Sequence, residues 1–241
     1  MSQSTPIRAV LLDLDGTLIA NEMRAFLAEY FALISSSFAH LVPADRLPEL
    51  LIRATRAMIE DQSNATNQEV FERVFPQLVG HPWSVLEPVF RDFYEREFPR
   101  LRPYVRKKPQ ARPLLEWLFA HDFPVVVATN PLFPLTAIRQ RMVWGEVHDF
   151  PYTLITAIEN SRSAKPHLRY FRDILDTVSC RPEEVLVVGD ENNDMVAGHL
   201  GCRTFLIPGA NTHLQPDTPP PTYQGGLADV LSLLQEREQC T

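Results

Sequence analysis

Two aspartates separated by a single residue follow directly after a short apolar run near the start of the chain. The run Val10-Leu11-Leu12 has the composition of a buried strand, and Asp13-Leu14-Asp15-Gly16-Thr17 comes next. Gly16 and Thr17 favour a turn that takes the chain away from the sheet. Desolvating two carboxylates costs free energy, and packing contacts do not offset that cost. Open α/β sheets bind ligands at the carboxyl ends of their strands. The stretch therefore predicts an α/β sheet with a functional site at the end of its first strand.

Three later stretches place further polar side chains in positions that fit the same site. Two of them come directly after β-type apolar runs, and the third precedes a helical pattern. In chain order they are Thr129-Asn130-Pro131, Lys165, and Gly189-Asp190 with Asp194 four residues later. Each has an ordinary explanation when taken alone, such as a turn or a charge favoured at a helix start. Their occurrence together in one chain favours a shared function.

These stretches resemble the four motifs of the haloacid dehalogenase superfamily of phosphohydrolases. The match consists of DxDGT at Asp13 to Thr17, the strand-terminal Thr129, Lys165, and GDxxxD at Gly189 to Asp194. The resemblance covers essentially the whole chain and is nearest to phosphoglycolate phosphatase-like members. It implies a Rossmann-like α/β core and, in one subclass, a helical cap inserted between the first and second motifs.

The second half of the sequence alternates between strand and helix patterns, which predicts a doubly wound, mostly parallel sheet. We expect strands at 7–13, 123–128, 153–157, 185–189 and 203–207. We expect helices near 110–121, 134–143, 167–178, 192–200 and 227–237. Gly201 is placed to end the fourth of these helices, and the Pro- and Gly-rich residues 216–226 predict a surface crossing.

Residues from about 20 to 105 show helical spacing with no convincing strand. The four segments are Ala25–Ala39, Leu47–Ile59, Glu69–Val79 and Val85–Phe98. We therefore predict an α/β core domain of residues 1–19 and 106–241 and a small all-α cap domain of residues 20–105. Within the cap, the polar stretch 61–67 is a candidate substrate-facing loop, although a solvated turn is the simpler interpretation. Arg53 and Arg56 are candidate anion-binding groups, although exposed arginines on a helix are common. Arg106-Lys107-Lys108 is interpreted as a solvated linker, and contact with an anionic substrate tail is the less favoured alternative.

The resemblance implies a role for each motif residue. Asp13 is the expected nucleophile, which needs no activating base because a carboxylate is already charged. Asp15 is the expected general acid and later the general base; the dehalogenases and phosphonatases of the superfamily lack an Asp at that position. Thr129 and the backbone amide of Asn130 would bind the phosphoryl group, and Lys165 would neutralise its charge.

A divalent metal is also implied, and Mg²⁺ is the expected ion because it prefers oxygen ligands. The expected ligands are Asp13, the backbone carbonyl of Asp15, and Asp190, with Asp194 as a support that holds Lys165. Glu191, Asn192 and Asn193 either order water near the metal or form an ordinary polar turn.

Composition limits the other functions that the chain could have. A net charge of −7 predicts no attraction to nucleic acid or to an anionic membrane. No stretch reaches the roughly 18 apolar residues of a membrane span, and Asp13 and Asp15 interrupt the only early apolar run, so we expect no signal peptide. The three cysteines show no CxxC pair, which fits the cytoplasm.

The prediction is a Mg²⁺-dependent phosphohydrolase that cleaves a small phosphorylated metabolite through an aspartyl-phosphate. Two alternatives remain open at this stage. One is a phosphomutase with the same motifs, and the other is a non-catalytic binding protein that kept the fold.

Overall fold

A six-stranded sheet whose neighbouring strands are all parallel forms the centre of the protein. The structure is a computed structural model that describes residues 5–209 and 212–238. In chain order the strands are β1 Ala9–Leu12, β2 Ile19–Asn21, β3 Val105–Lys107, β4 Val125–Val127, β5 Leu154–Ile155, β6 Val185–Gly189, β7 Arg203–Leu206 and β8 Tyr223–Gln224. The sheet order is β5-β4-β1-β6-β7-β8, so β1 lies between the two halves of the sheet. A ligand site is expected at this point, where the strand order reverses.

Nine α-helices accompany the sheet in the part of the chain that is described. They are α1 Met23–Phe38, α2 Leu47–Glu60, α3 Asn67–Val79, α4 Trp83–Asp92, α5 Ala111–Ala120, α6 Leu135–Trp144, α7 Leu168–Val178, α8 Asn192–Met195 and α9 Leu227–Glu238. Successive residues of β1 point to opposite faces of the sheet. Val10 and Leu12 therefore pack with α5, α6 and α9, while Ala9 and Leu11 pack with α7. Since both faces are covered by helices, the predicted doubly wound α/β fold is confirmed.

The residues between β2 and β3, here called the insertion, are helical. The antiparallel pair β2–β3 connects the insertion to the sheet. This ribbon was not predicted, because its strands are only three residues long. Helix α3 begins at a capping box: the Thr66 hydroxyl accepts a hydrogen bond from the Glu69 amide (3.2 Å), and the Glu69 carboxylate accepts one from the Thr66 amide (2.7 Å).

The last helical segment of the insertion differs from the prediction. The α-helix ends at Asp92, a π-helical turn covers Phe93–Glu97, and a 3₁₀-helix covers Phe98–Tyr104. Pro99 and Pro103 lack N–H groups, so neither can donate a backbone hydrogen bond within this segment.

Aromatic rings pack against each other within the insertion. Phe38 and Phe90 have ring centroids 4.6 Å apart, and Phe71 stacks on Phe75 at 5.0 Å. The same apolar cluster extends into the core and includes Leu14 and Ile138. The predicted domain boundaries fall at the β2–β3 ribbon, and the division into two domains stays a prediction.

Smaller differences concern element ends. The strand predicted at 153–157 is reduced to two residues, and the short strand β8 was missed inside the Pro- and Gly-rich crossing. The helix predicted at 192–200 is one α-helical turn followed by a 3₁₀-helix, which ends at Gly201 with φ +92°. Among the described helices, none has the length and apolar character required to span a membrane. Cys180 and Cys202 are free thiols, and Cys240 lies outside the described residues.

Candidate active site

A cavity of about 1030 Å³ opens at the carboxyl ends of β1, β4 and β6. The predicted catalytic, phosphate-binding and metal-binding residues of the four motifs all line this cavity: Asp13, Asp15, Thr129, Asn130, Lys165, Asp190 and Asp194. These residues come from four separate stretches of the chain. Because parallel strands end at the same edge of a sheet, the fold brings the stretches together.

Lys165 connects the first and last motifs. Its ammonium donates hydrogen bonds to Oδ1 of Asp13 (2.8 Å) and to Oδ1 of Asp194 (2.5 Å), and all three side chains are buried. Burial by itself would lower the pKa of Lys165, but the two carboxylates outweigh it and hold that pKa well above its ordinary value. Lys165 is therefore a fixed positive charge beside Asp13.

Two glycines allow the carboxylates of Asp190 and Asp194 to lie close to the backbone. A Cβ atom at Gly16 would lie 2.1 Å from Oδ2 of Asp190, and one at Gly189 would lie 2.1 Å from Oδ2 of Asp194. Gly16 also has φ +85°, a conformation that other residues rarely adopt. The glycines of both aspartate motifs are thus required by the packing of the site.

Two hydroxyl groups bind the loop that carries Thr129. The Thr156 hydroxyl donates a hydrogen bond to the Thr129 carbonyl (2.7 Å), and the Tyr170 hydroxyl donates one to the same oxygen (2.9 Å). Thr129 is 2% exposed and faces the cavity. These contacts hold the backbone carbonyl of Thr129 in place.

Asp15 has two partners that sequence reasoning missed. Arg141 of α6 donates a hydrogen bond to its Oδ2, and Asn21 of β2 donates one to its Oδ1 (2.7 Å). Burial raises the pKa of Asp15, while the Arg141 guanidinium opposes that rise. Arg141 follows Ala137 and Ile138 at helical spacing on the buried face of α6. A charged residue on an apolar helix face was the signal that could have identified it.

Lys108 corrects the prediction of a solvated linker. Arg106 and Lys107 are exposed and pair with Glu22 and Glu146 respectively. Lys108, in contrast, is partly buried, lines the cavity and donates a hydrogen bond to the Gly16 carbonyl. The β2–β3 ribbon turns the chain so that this third basic residue faces the site.

Three carboxylates could hold a metal ion. Oxygens of Asp13, Asp190 and Asp194 lie within 4.8 Å of one another. Both oxygens of Asp194 already accept hydrogen bonds, from Lys165 and from the Glu191 amide (3.2 Å), which suits a supporting position better than a ligand position. Burial raises the pKa of Asp190 to about 8, and the neighbouring charges of Asp13 and Asp194 add to that rise. This excess of negative charge, supplied by oxygen atoms, fits a divalent cation.

The candidate residues predicted within the insertion are not at the cavity. None of residues 61–67 lines it: Asn67 is buried and donates hydrogen bonds to the carbonyls of Pro131 and Ser163, and Arg169 binds the Ser63 carbonyl (2.7 Å). This loop therefore fixes the insertion to the core. Arg53 is exposed and does not line the cavity, and Arg56 lines a different cavity.

The polar turn 191–193 has a divided role. Glu191 and Asn193 line the cavity. Asn192 instead accepts hydrogen bonds from the Gln215 amide (2.8 Å) and the Thr218 hydroxyl (2.5 Å). It thereby anchors the loop that follows β7.

Comparison with known proteins agrees with the motifs and the fold. The model of the haloacid dehalogenase-like hydrolase family matches residues 7–200. Since the match covers most of the chain, the protein belongs to this family of hydrolases.

Two curated relatives are similar over most of their length. The phosphoglycolate phosphatase of Photorhabdus laumondii is 24% identical over 211 residues, which cover 81% of this chain and 78% of the relative. The pyrophosphatase PpaX of Bacillus cereus is 24% identical over 207 residues and 83% of each chain.

Solved structures show the same fold at low sequence identity. A HAD phosphatase from Thermococcus onnurineus aligns with a TM-score of 0.58 and 18% identity, covering 95% of this chain and 98% of that one. The L-2-haloacid dehalogenase of Xanthobacter autotrophicus aligns with a TM-score of 0.56 and 15% identity, covering 95% and 98%. The fold is therefore shared by phosphatases and dehalogenases, and the chemistry must be argued from the site.

Proposed function

We propose that the protein is a Mg²⁺-dependent phosphohydrolase that cleaves a small phosphate monoester through an aspartyl-phosphate on Asp13. The observation that supports this best is the pairing of the nucleophile with a second carboxyl: Asp15 lies in the same cavity, and burial raises its pKa. An ester leaving group needs a proton as it departs, and a carboxyl group can supply it. The names of the curated relatives support the same class of reaction.

Substrate binding relies on the positive and hydrogen-bonding groups of the cavity. Lys165 and the Thr129 hydroxyl, with the Asn130 amide, would contact the phosphoryl oxygens and neutralise their charge. The Asp13 carboxylate then attacks phosphorus. The bond from phosphorus to the ester oxygen breaks, and Asp15 gives its proton to that oxygen, which leaves as an alcohol.

The second step returns the enzyme to its starting state. Asp15, now ionised, takes a proton from a water molecule as the water oxygen attacks phosphorus. The bond between phosphorus and Asp13 breaks, and inorganic phosphate leaves. Both Asp15 oxygens accept hydrogen bonds here, from Arg141 and Asn21. Proton donation therefore requires that one of these contacts be exchanged for the ester oxygen.

Asp13 and Asp190 would hold the metal together with the backbone carbonyl of Asp15, and Asp194 would position Lys165. When bound, a divalent cation offsets the charge of the phosphoryl oxygens and of the clustered carboxylates. Gly16 leaves the space that the Asp190 carboxylate occupies beside the first motif.

We also propose that the insertion acts as a cap domain that encloses and selects the substrate. Leu27 and Met23 of α1 line the same cavity as the motif residues. The β2–β3 ribbon carries both chain connections to the insertion and is the natural hinge. Exchange of the insertion for that of a relative should change which esters are preferred while p-nitrophenyl phosphate is still hydrolysed.

The test of the proposed function is a phosphatase screen over a panel of phosphorylated metabolites in Mg²⁺. Phosphate release from one or more monoesters, absent in Asp13→Asn, is the expected result. Release of halide from a haloacid without phosphate release would replace the proposal with a dehalogenase.

A further inference from the structure

A second cavity, of about 530 Å³, lies between the insertion and the core, next to the candidate active site. Leu27 of α1 and Leu132 and Phe133 of the loop after Thr129 line both cavities. These three side chains, here called the partition, are half-buried. The two cavities are therefore neighbours that share one apolar wall.

The second cavity is lined mainly by aromatic and aliphatic side chains. Its aromatic residues besides Phe133 are Tyr30, Phe31, Phe71, Trp83, Phe90 and Tyr94. Cavities of this size and lining are typical of small-molecule sites. Aromatic rings therefore form much of the wall of this cavity.

Several polar groups of this cavity have hydrogen-bond partners in the protein. The hydroxyls of Tyr30 and Tyr94 are 3.1 Å apart and share a hydrogen bond, and Glu87 accepts one from Arg91 (3.0 Å). Gln68 donates a hydrogen bond to Glu72 (2.6 Å). Arg56, Glu95 and Glu159 also line the cavity, but most of the lining side chains are apolar, so a guest would make mainly apolar contact.

The position of Asp15 indicates which part of a substrate would point at the partition. The guanidinium of Arg141, which binds Asp15, lies over the Phe133 ring at 5.0 Å from the ring centroid. An ester oxygen that takes a proton from Asp15 must lie near this pair. The leaving group therefore departs from the side of the active site that is nearest to Phe133.

We propose that the second cavity binds the apolar body of the leaving group. The substrate class is then a phosphate monoester of an alcohol with an extended alkyl or aryl group, which passes the partition and contacts the aromatic walls. This inference rests on the proposed function, because it takes the phosphoryl group to be bound at Asp13.

A series of straight-chain alkyl phosphates tests the proposal. Ethyl, butyl, hexyl and octyl phosphate are hydrolysed in Mg²⁺, below the concentrations at which they aggregate, and kcat/KM is measured for each. Once the chain passes the partition, kcat/KM should rise about fourfold per added methylene, the gain expected for burying it. Length-matched oligo(ethylene glycol) monophosphates should show no such rise. A flat alkyl series would overturn the proposal.

Two variants locate the effect. Thr55, half-buried on α2, lines the second cavity, and Thr55→Phe should fill part of it and reduce the ratio of octyl to ethyl kcat/KM at least tenfold. Val85 is exposed on α4 and does not line the cavity, so Val85→Phe adds similar bulk outside it and should keep the wild-type ratio. Equal ratios in the two folded variants would contradict the proposal.

Calorimetry separates this inference from the proposed function, since it needs no turnover. Octylphosphonate should bind the wild-type protein at least 100-fold more tightly than ethylphosphonate, with a more negative heat-capacity change. If esters are hydrolysed but the two phosphonates bind equally, the second cavity is not a substrate site. If no ester is hydrolysed but octylphosphonate still binds more tightly, the proposed function fails and the apolar site stands.

Discussion

Arg141 donates a hydrogen bond to the carboxylate of Asp15, although 126 positions separate the two residues. The Arg141 side chain is 2% exposed and the Asp15 side chain 16%, so the ion pair is largely withdrawn from water. Nε and Nη2 of Arg141 are buried and have no hydrogen-bond partner among the described residues. Burying a guanidinium with missing hydrogen bonds costs free energy. Contact with Asp15 and with the Phe133 ring offsets part of that cost.

Removal of the Arg141 guanidinium should destabilise the protein, because the Asp15 carboxylate would then be buried without a partner. We expect Arg141→Met to lower the free energy of unfolding by about 3–5 kcal/mol, because Asp15 stays buried without its partner. The double variant Arg141→Met, Asp15→Asn should recover a large part of that loss. Urea denaturation measures both. Arg139→Met, on the exposed side of the same helix, is the control and should change stability by at most about 0.5 kcal/mol. An Arg141→Met variant as stable as this control would contradict the prediction.

Loss of Asp13, the proposed nucleophile, should abolish turnover without unfolding the chain. Asp13→Asn keeps the shape of the side chain, and Lys165 keeps its bond to Asp194. We expect kcat to fall by a factor on the order of 10⁴ or more, together with loss of the acid-labile phosphoenzyme. Rapid-quench experiments with ³²P-labelled substrate measure both. Asp176→Asn, an exposed change on α7, should behave as wild type. Near-normal activity in Asp13→Asn would rule out the mechanism.

The effect of removing the proposed acid, Asp15, should depend on the leaving group. Asp15→Asn should slow single-turnover phosphorylation by aliphatic phosphate esters by about 10²–10⁴. It should affect p-nitrophenyl phosphate much less, because that leaving group needs little protonation. Slow dephosphorylation limits both substrates at steady state, so the phosphorylation step must be measured alone. Equal losses for the two substrates would exclude the acid role.

Removal of the metal should abolish activity, and binding of the metal should release protons. EDTA is expected to abolish activity and Mg²⁺ to restore it. The pKa of Asp190 in the metal-free protein is raised to about 8, so this carboxyl is mostly protonated at pH 7 and must lose its proton to bind Mg²⁺. Apparent Mg²⁺ affinity should therefore fall as the pH decreases below 8. Calorimetry in buffers of different ionisation enthalpy should show nearly one proton released per Mg²⁺ at pH 7. No dependence on the buffer would count against this carboxyl as a ligand.

Asp190→Asn should change stability in opposite directions with and without metal. The folded protein holds the Asp190 proton up to a pKa of about 8, whereas the ordinary value is 3.8. The unfolded state therefore binds fewer protons between these values, and metal-free stability falls as the pH rises through this window. The amide variant lacks this loss, so at pH 8 without metal it should melt at a higher temperature than wild type. Mg²⁺ should raise the melting temperature of wild type and have little effect on the variant. A variant that is less stable without metal would refute the argument.

The sequence by itself determined the class of fold and the identity of the motif residues. Apolar runs that end in polar residues mark the ends of parallel strands, and those ends meet at one edge of a sheet. The order of residues along the chain was therefore enough to assign Asp13, Thr129 and Asp190 to one site. Lys165 does not follow a strand, and only the resemblance to a known family placed it there.

Only the tertiary structure decided what surrounds these residues. Arg141, Asn21 and Lys108 belong to no motif, and each reaches the site because α6 or the β2–β3 ribbon packs beside it. The loop 61–67 shows the reverse case: its polar composition suits a ligand site, yet its groups bind the core. Local periodicity predicts which face of an element is buried, because that depends on neighbours along the chain. Which distant groups meet across a cavity depends on how the elements pack. The sequence pattern does not state how far apart those groups lie in the folded protein.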